Sequence, residues 1–260
     1  MTRHLTILIL SFYTFGCTFS SKSRASHDLP TRIAHAMGGI DNLTYSNSLE
    51  AWEHNYKKGC KYFEADLWIT SDGRLVAFHD GLENDYGLST GFTHTDFINS
   101  KFRNKYTPID DDLLIELFLS NNDWILVTDV KNDQIKALKI LCERLSENNV
   151  DCRSRIVPQI YDFPKGFQNI KSLGFERVIL TLYRINDVTD SAVIKFVKSE
   201  PSIVAVTMPK HRANRQFLHH LNQLGKRTYV HTINGEDQIN DVLSTGVYGV
   251  YTDFNCSASD

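Results

Sequence analysis

Four residues in two short stretches have types and a spacing that suit metal chemistry. Glu64 and Asp66 lie two apart in FEADLW, and Asp129 and Lys131 lie two apart in VTDVK. Residues two apart in a strand project from the same face, and like charges in a low-dielectric interior need compensation. A hard divalent cation, Ca²⁺ or Mg²⁺, is the simplest compensation. Glu64, Asp66 and Asp129 are therefore the predicted metal ligands.

Charge balance supports an acidic cluster that faces inward. A divalent cation together with Lys131 would neutralise the three carboxylates, so that a protonated histidine could offset the charge of an anionic substrate. Lys131 is accordingly predicted to contribute to substrate binding. The alternative is that Glu64 and Asp66 face outward and pair with helix lysines. The apolar residues that flank them oppose this alternative, because they would pack under the helices and leave the acidic face inward.

Two histidines end predicted strands close to these carboxylates. His35 ends the stretch RIAHAM, and His79 ends LVAFHD. In α/β barrels, catalytic side chains lie at the C-terminal ends of the strands. A single histidine would more often be a satisfied core residue or an exposed one. Two histidines at strand ends beside an acidic cluster indicate a functional site.

The elements that must position these residues alternate between strand-like and helix-like stretches from Arg32 onward, which implies parallel strands with crossover helices. Strands are predicted at 32–37, 62–70, 75–80, 124–131, 155–161, 177–183, 203–210, 227–233 and 248–253. Counting 62–70 and 75–80 as one interrupted unit gives about eight strands, the number of a TIM (β/α)8 barrel. The chain has 260 residues, 42% of them apolar, and no linker rich in Pro or Gly. A single-domain TIM barrel is therefore predicted.

One segment interrupts the alternation. Residues 81–110 follow His79-Asp80 directly and hold scattered aromatic residues. Long loops inside compact domains are usually functional or disordered. The segment is predicted to be a lid or a substrate loop, and a floppy insertion is the alternative.

The order of these motifs resembles a known enzyme superfamily. His35, then YSNSLEAW, FEADLWITSDGRLVAFHD and TDVK, resembles the glycerophosphodiester phosphodiesterase and phosphatidylinositol-specific phospholipase C-like superfamily, and VHTIN and GVYGVYTDF look like its last two strands. The resemblance implies a TIM barrel. It also implies general acid–base catalysis by His35 and His79, and Ca²⁺ or Mg²⁺ bound by the E-x-D pair and a later acidic residue, here Glu64, Asp66 and Asp129.

The chain departs from that pattern at three places. Ala36 and Met37 stand where the family usually has arginine after its first histidine, and Tyr45-Ser46 stands where the family has Pro-Glu. Asp129 replaces a commoner glutamate. These departures are expected to affect phosphate binding and substrate choice, and they are closer to the phospholipase-C-like branch.

Further polar residues near strand ends are predicted to line the pocket: Gln159, Tyr183, Arg184, Lys210 and His231. Lys210 is the strongest of these as an anion contact. Asn47 and Glu50 are predicted to form the N-cap and capping box of the first helix, with substrate binding by Asn47 as the alternative.

The first 17 residues indicate an export signal. The apolar stretch 5–15 is too short to span a bilayer of roughly 30 Å and suits a signal-peptide core. TFGC resembles a bacterial lipobox in which Thr14 replaces the usual leucine, so Cys17 is the predicted lipidation site; ordinary cleavage nearby is the alternative. Residues 18–30 are predicted to be a polar tether and residues 31–256 the barrel. The expected location is the cell envelope, anchored to the membrane surface through the lipid, or otherwise the exterior.

Export permits disulfides among the other cysteines, which are Cys60, Cys142, Cys152 and Cys256. The absence of a C-x-x-C pair opposes a zinc site. Cys142 with Cys152 is the one bridge that the layout favours, because the two are close in sequence. Buried free thiols are the preferred interpretation.

The expected activity is metal-dependent hydrolysis of a glycerophosphodiester or of a phospholipid head group. One alternative is a phospholipid lyase, in which a neighbouring substrate hydroxyl attacks and gives a cyclic phosphate. Another is a non-catalytic lipoprotein that uses the barrel to bind a ligand, and the missing arginine is its best support. The net charge of −3 opposes nucleic acid as a partner. The roles of the two histidines stay open, with His79 favoured as the acid.

Overall fold

Eight parallel strands close into a barrel, because the first strand pairs with both the second and the last. The computed structural model describes residues 29–185 and 187–257. The strands are β1 (Arg32–Ala34), β2 (Tyr62–Ile69), β3 (Leu75–Ala77), β4 (Ile125–Val130), β5 (Ile156–Ile160), β6 (Val178–Thr181), β7 (Ile203–Met208), β8 (Arg227–Val230) and β9 (Gly249–Thr252). All but β3 belong to the parallel barrel, in the order β1-β9-β8-β7-β6-β5-β4-β2. The predicted TIM barrel is confirmed.

Strand β3 is the one described strand outside the parallel barrel. The sequence pattern groups it with β2 as one interrupted unit. The strand runs antiparallel to β2, with Leu67 opposite Ala77. The hairpin returns the chain toward the level of Asp66, since Phe78 N–H donates to the Asp66 carbonyl at 2.8 Å. His79, one residue later, is thereby brought beside the acidic residues of β2.

Helices cross over between most of the strands. They are α1 (Leu49–Lys57), α2 (Glu83–Tyr86), α3 (His94–Ile98), α4 (Asp111–Ser120), α5 (Gln134–Glu147), α6 (Cys152–Arg155), α7 (Lys165–Ser172), α8 (Asp190–Ser199), α9 (Arg215–Gln223) and α10 (Glu236–Ser244). Several start at side-chain caps, for example Asp133 on α5 and Asn214 on α9. Such caps satisfy backbone N–H groups that have no partner inside the helix.

The alternation along β2 decides which way its acidic residues face. Phe63, Ala65 and Leu67 belong to the apolar core between strands and helices. Glu64 and Asp66 point to the opposite face, the barrel interior. The prediction of an inward acidic face is confirmed by this packing. A separate apolar cluster is made by Leu29, Ile33, Ile125, Val127, Val157, Ile179, Ala205, Tyr229 and Tyr251.

The N-terminal predictions fall mainly on residues that lie outside the described part of the chain, Cys17 among them. Leu29 and Pro30, placed in the tether by the sequence, already contact the barrel. Leu29 is buried, and its carbonyl accepts a hydrogen bond from the Tyr248 hydroxyl at 2.5 Å. Within the described residues, no helix has the length and apolar character needed to cross a bilayer.

The segment 81–110 is a small folded insertion rather than a floppy loop. It contains α2 and α3, and its aromatic residues pack around Phe78 in a cluster with Tyr86, Phe92, Phe97, Phe102 and Tyr106. None of its residues lines the cavity described below. The Tyr86 hydroxyl instead donates to the Ser46 carbonyl at 2.7 Å, so the insertion supports the loop before α1.

The prediction of free thiols is wrong for all four described cysteines. Cys142 bonds to Cys152, the pair that the sequence layout favours. Cys60 bonds to Cys256 across 196 residues of sequence. The second pair could not be inferred from spacing, because only closure of the barrel brings the start of β2 beside the C-terminal segment.

Candidate active site

A cavity of about 160 Å³ opens at the carboxyl ends of the parallel strands. Its walls hold most of the predicted site residues together with several tyrosines. The lining side chains are His35, Tyr45, Glu64, Asp66, His79, Asp129, Lys131, Gln159, Thr181, Tyr183, His231 and Tyr251. Catalytic groups of TIM barrels lie at this end of the fold.

Three carboxylates form the floor of the cavity. Oxygens of Glu64, Asp66 and Asp129 lie within 4.8 Å of one another, and all three side chains are buried. The register places Asp66 directly opposite Asp129 on the neighbouring strand, which explains the convergence. The Lys131 ammonium lies 2.7 Å from Asp66 and 2.8 Å from Asp129. Lys131 therefore supplies one positive charge to the cluster from within the protein.

Two carboxylate oxygens of this cluster have no hydrogen-bond partner among the described residues. Glu64 Oε2 accepts from the Ala36 N–H at 2.8 Å, whereas Glu64 Oε1 is buried and unpaired. Asp129 Oδ1 is also buried and unpaired. Unpaired anionic oxygens are costly in an interior, and hard divalent cations take such oxygens as ligands. The cluster thus fits a divalent cation.

The electrostatics of the cluster are unbalanced without such a cation. Burial and the neighbouring charge of Asp66 raise the pKa of Glu64 to about 8. Burial acts in the same direction on Asp66, but Lys131 and the two histidines outweigh it and lower the pKa of Asp66. Glu64 is therefore the member that most needs a further positive charge to ionise at neutral pH.

His35 is held by a carboxylate on the last strand. His35 Nδ1 lies 2.8 Å from Asp253 Oδ1, and its Nε2 lies 4.0 Å from Glu64 Oε2. Burial lowers the pKa of His35, but the hydrogen bond to Asp253 and the charges of Glu64 and Asp66 outweigh it and raise this pKa to about 9. The arrangement orients the imidazole and stabilises its protonated form.

The backbone carbonyl of the next residue, Asp80, orients the ring of His79. Its Nδ1 lies 2.7 Å from the Asp80 carbonyl, which can only accept, so Nδ1 carries the hydrogen and Nε2 is left for the cavity. The His79 side chain is 29% exposed and that of His35 is 12% exposed. Of the two, His79 is on the more open side of the site.

The predicted substrate contacts divide into two groups. The cavity lining includes Gln159, Tyr183, His231 and the ion-paired Lys131, but it does not include Arg184, another predicted lining residue. Lys210 does not line it: it follows Met208-Pro209 beyond the end of β7 and is exposed at the start of a 3-10 helix. The prediction of Lys210 as an anion contact is not supported by this position.

Asn47 has a different role from the predicted helix cap. Ser48 is the N-cap of α1, and the Glu50 carboxylate accepts instead from Thr107. Asn47 Nδ2 donates to Asp66 Oδ2 at 2.9 Å, and Asn47 Oδ1 accepts from the Asp66 N–H at 3.1 Å. Asn47 thus fixes a predicted metal ligand.

Sequence reasoning did not identify Asp253, Thr181 or Tyr251 as residues of the site, and it noted Tyr45 only as a departure from the family pattern. A signal for Asp253 was present, because YTDF places an acidic residue directly after the last strand. No local pattern of the sequence predicts that Tyr45 contacts the histidines. This residue lies in the irregular loop before α1, and only the fold brings its ring against His35 and His79.

Comparison with solved structures finds the same fold in several phosphodiesterases. An Oleispira antarctica phosphodiesterase in complex with the product sn-glycerol-3-phosphate matches with a TM-score of 0.68 and 16% identity over 87% of this chain and 94% of that one. A Thermotoga maritima glycerophosphodiester phosphodiesterase matches with a TM-score of 0.62 and 18% identity over 87% and 96%. A glycerophosphoryl diester phosphodiesterase from Parabacteroides distasonis matches with a TM-score of 0.67 and 16% identity over 89% and 85%.

The sequence itself matches one family model. Residues 25–177, more than half of the chain, match the glycerophosphoryl diester phosphodiesterase family. No curated protein matches the sequence. The matched range contains β1 to β5 and with them both histidines and all three clustered carboxylates. The chain belongs to the glycerophosphoryl diester phosphodiesterase family, and with it to the phosphoric diester hydrolases.

Proposed function

We propose that the protein is a divalent-metal-dependent phosphodiesterase that acts on a glycerophosphodiester or a phospholipid head group. One observation carries the proposal: three buried carboxylates with two unpaired oxygens lie in the same cavity as two oriented histidines. Glu64, Asp66 and Asp129 would hold the cation, which is Ca²⁺ or Mg²⁺ by the chemistry of its ligands.

The two histidines carry the proton transfers. His35, paired with Asp253, accepts the proton of the nucleophile, because the carboxylate stabilises the imidazolium that forms. His79, on the more open side, donates its proton to the departing alkoxide. A bound divalent cation would supply positive charge that stabilises the phosphoryl oxygens and favours the neutral form of His35 at the start. Positioning by Asn47 and Lys131 keeps the carboxylates in place.

The substrate class is proposed from chemistry and from the comparison. A site with acid–base groups beside a cation site suits the transfer of a phosphoryl group between oxygens. The structurally similar Oleispira antarctica enzyme was crystallised with sn-glycerol-3-phosphate as its product. A glycerophosphodiester is therefore the first substrate to test, and a phospholipid the second.

A panel of glycerophosphodiesters and phospholipids, each with Ca²⁺, Mg²⁺ or chelator, tests the proposal directly. Phosphorus NMR should show a phosphomonoester product only when a divalent cation is present. A cyclic phosphate would instead identify the lyase reaction by a substrate hydroxyl. If no diester reacts with any cation, the chain is a binding protein on the same barrel and the proposed function is wrong.

We further propose that the protein is exported and anchored to the membrane through Cys17. Two disulfides, Cys60–Cys256 and Cys142–Cys152, support export, since such bonds persist in oxidising compartments. The anchor would place the barrel at the membrane surface, where phospholipids and their breakdown products are found.

A further inference from the structure

The ring of Tyr45 contacts the rings of both histidines. Its centroid is 4.6 Å from that of His35 and 5.0 Å from that of His79, and it meets both edge-on, at 84° and 80°. Tyr45 also lines the cavity and is 36% exposed. A substrate group that reaches both imidazoles would therefore lie beside the ring of Tyr45.

Buried hydrogen bonds hold the loop that contains Tyr45 in place. Tyr45 has φ +59° and Asn47 has φ +43°, a left-handed conformation that is uncommon for a bulky residue such as tyrosine. Asn47 is fixed to Asp66 by two hydrogen bonds. Between them, the Ser46 carbonyl accepts from the buried Tyr86 hydroxyl of the insertion. The position of the ring is thus set by the strand that carries the acidic residues and by the insertion.

The hydroxyl of Tyr45 is an available donor. It forms no hydrogen bond with any of the residues that the structure describes, although its own surroundings are charged. Burial, followed by the charges of Asp66 and Asp253, raises the pKa of Tyr45, so the phenol keeps its proton. A neutral phenol can donate to an anionic oxygen.

Several groups that could contact a phosphate are committed or absent, whereas His231 Nε2 and Thr181 Oγ1 of the cavity lining also lack a hydrogen-bond partner among the described residues. Ala36 offers only a methyl group, and its N–H is bound to Glu64. The Lys131 ammonium is paired with Asp66 and Asp129. Lys210 lies outside the cavity lining. Among the available donors, Tyr45 is the one whose ring contacts both His35 and His79, which places it beside an anionic substrate held there.

We propose that Tyr45 contacts the substrate and determines which diesters the site accepts. Its hydroxyl donates a hydrogen bond to a non-bridging phosphoryl oxygen, and its ring forms the uncharged wall of the slot between His35 and His79. This inference rests on the proposed function for its substrate class, a phosphate diester.

The test compares Tyr45→Phe and Tyr45→Ala with a matched control, Tyr56→Phe, whose hydroxyl contacts Asp123 at the protein surface. A hydrogen bond to a charged group typically corresponds to a factor of roughly 10–100 in an equilibrium or rate. Tyr45→Phe should therefore lower kcat/KM by about this factor and weaken binding of sn-glycerol 3-phosphate, measured by calorimetry with Mg²⁺, to a similar degree. Affinity for Mg²⁺ alone should not change. Tyr45→Ala should in addition raise the preference for bulky diaryl phosphates over glycerophosphodiesters, because the wall is removed.

The outcomes separate this inference from the proposed function. If the wild type hydrolyses diesters and Tyr45→Phe equals it in both turnover and product binding, the inference is wrong and the function stands. If the wild type hydrolyses nothing but binds sn-glycerol 3-phosphate more tightly than Tyr45→Phe does, the contact stands and the catalytic proposal fails. If the wild type neither hydrolyses a diester nor binds the phosphate ester, both are wrong.

Discussion

Asp253 and His35 form a carboxylate–imidazole pair across 218 residues of sequence, with Asp253 Oδ1 2.8 Å from His35 Nδ1. The carboxylate is itself fixed by Asn234, whose side chain donates to Asp253 Oδ2 at 2.7 Å and accepts from the Asp253 N–H at 2.8 Å. The pair joins the end of the last strand to the end of the first. His35 can therefore be oriented by Asp253 only after the barrel has closed.

Replacing Asp253 by Asn should therefore reduce catalysis without removing the imidazole. We expect kcat to fall by about 10²-fold, at the lower end of what a positioned acid–base group contributes. The pKa of His35 should also fall, because Asp253 raises it. The pH–rate profile measures this shift. Asp123→Asn, which alters a surface ion pair with Lys61 and a hydrogen bond from Tyr56, is the control. An unchanged profile in Asp253→Asn would show that the His35–Asp253 pair has no role in turnover.

The two histidines should contribute to one proton-transfer cycle. His35→Ala and His79→Ala should each lower turnover by about 10²–10⁴-fold, and the double variant should be far less than multiplicatively worse. A nitrophenyl diester has an acidic leaving group that needs no proton, so it should partly rescue His79→Ala only. Rescue of His35→Ala instead would show that His35 is the general acid and His79 the general base. Metal affinity, measured by calorimetry, should hardly change in either variant.

Lys131 should contribute most to the stability of the protein when no cation is bound. Its ammonium is buried between Asp66 and Asp129, and removing one partner of a buried ion pair typically costs about 3–5 kcal/mol. Lys131→Met should therefore lower the thermal unfolding temperature in chelator. Added Mg²⁺ or Ca²⁺ should restore more stability to this variant than to the wild type, because the cation replaces the lost charge. Equal stabilisation of the two proteins would argue against a cation at these carboxylates.

His231 should make stability depend on pH in the acidic range. Burial, and then the charges of His35 and Lys131, lower the pKa of His231 from 6.5 to about 4. Between these values the unfolded chain binds a proton that the folded protein does not, so the free energy of unfolding falls as pH falls from about 6.5 to 4, and the effect is complete below 4. His231→Gln lacks this group and should lose about 2 kcal/mol less between pH 7.5 and pH 5. Urea unfolding of both proteins in chelator measures the difference, and parallel pH dependences would contradict it.

The proposed membrane anchor is tested by changing Cys17 to Ser. The wild type should fractionate with membranes and carry lipid, whereas Cys17→Ser should be released or remain unprocessed. Mass spectrometry of the mature N-terminus identifies the modification. A soluble mature protein that begins after residue 17 would show that the lipobox interpretation is wrong.

Strand positions could be predicted well because apolar runs and polar strand ends are local properties of the sequence. The same holds for Glu64 and Asp66, whose apolar neighbours point them inward. Contacts that depend on closure could not be predicted. Asp253 reaches His35 and Cys60 reaches Cys256 only after the last strand has paired with the first.

Local signals also misled where a tertiary contact outweighed them. Asn47 has the residue type of a helix cap, yet its hydrogen bonds go to Asp66, and Ser48 caps the helix instead. The insertion 81–110 follows His79 in sequence, yet it packs its aromatic residues on Phe78 and supports the loop before α1 through Ser46 instead of lining the cavity. The deciding hydrogen bonds join residues that are 19 and 40 apart in the sequence, Asn47 with Asp66 and Tyr86 with Ser46.

A crystal structure with Ca²⁺ and sn-glycerol 3-phosphate bound would test the central claim most directly. We expect oxygens of Glu64, Asp66 and Asp129 within about 2.3–2.6 Å of one ion, and the phosphate between His35 and His79. An ion bound elsewhere, or a phosphate that contacts neither histidine, would contradict the account.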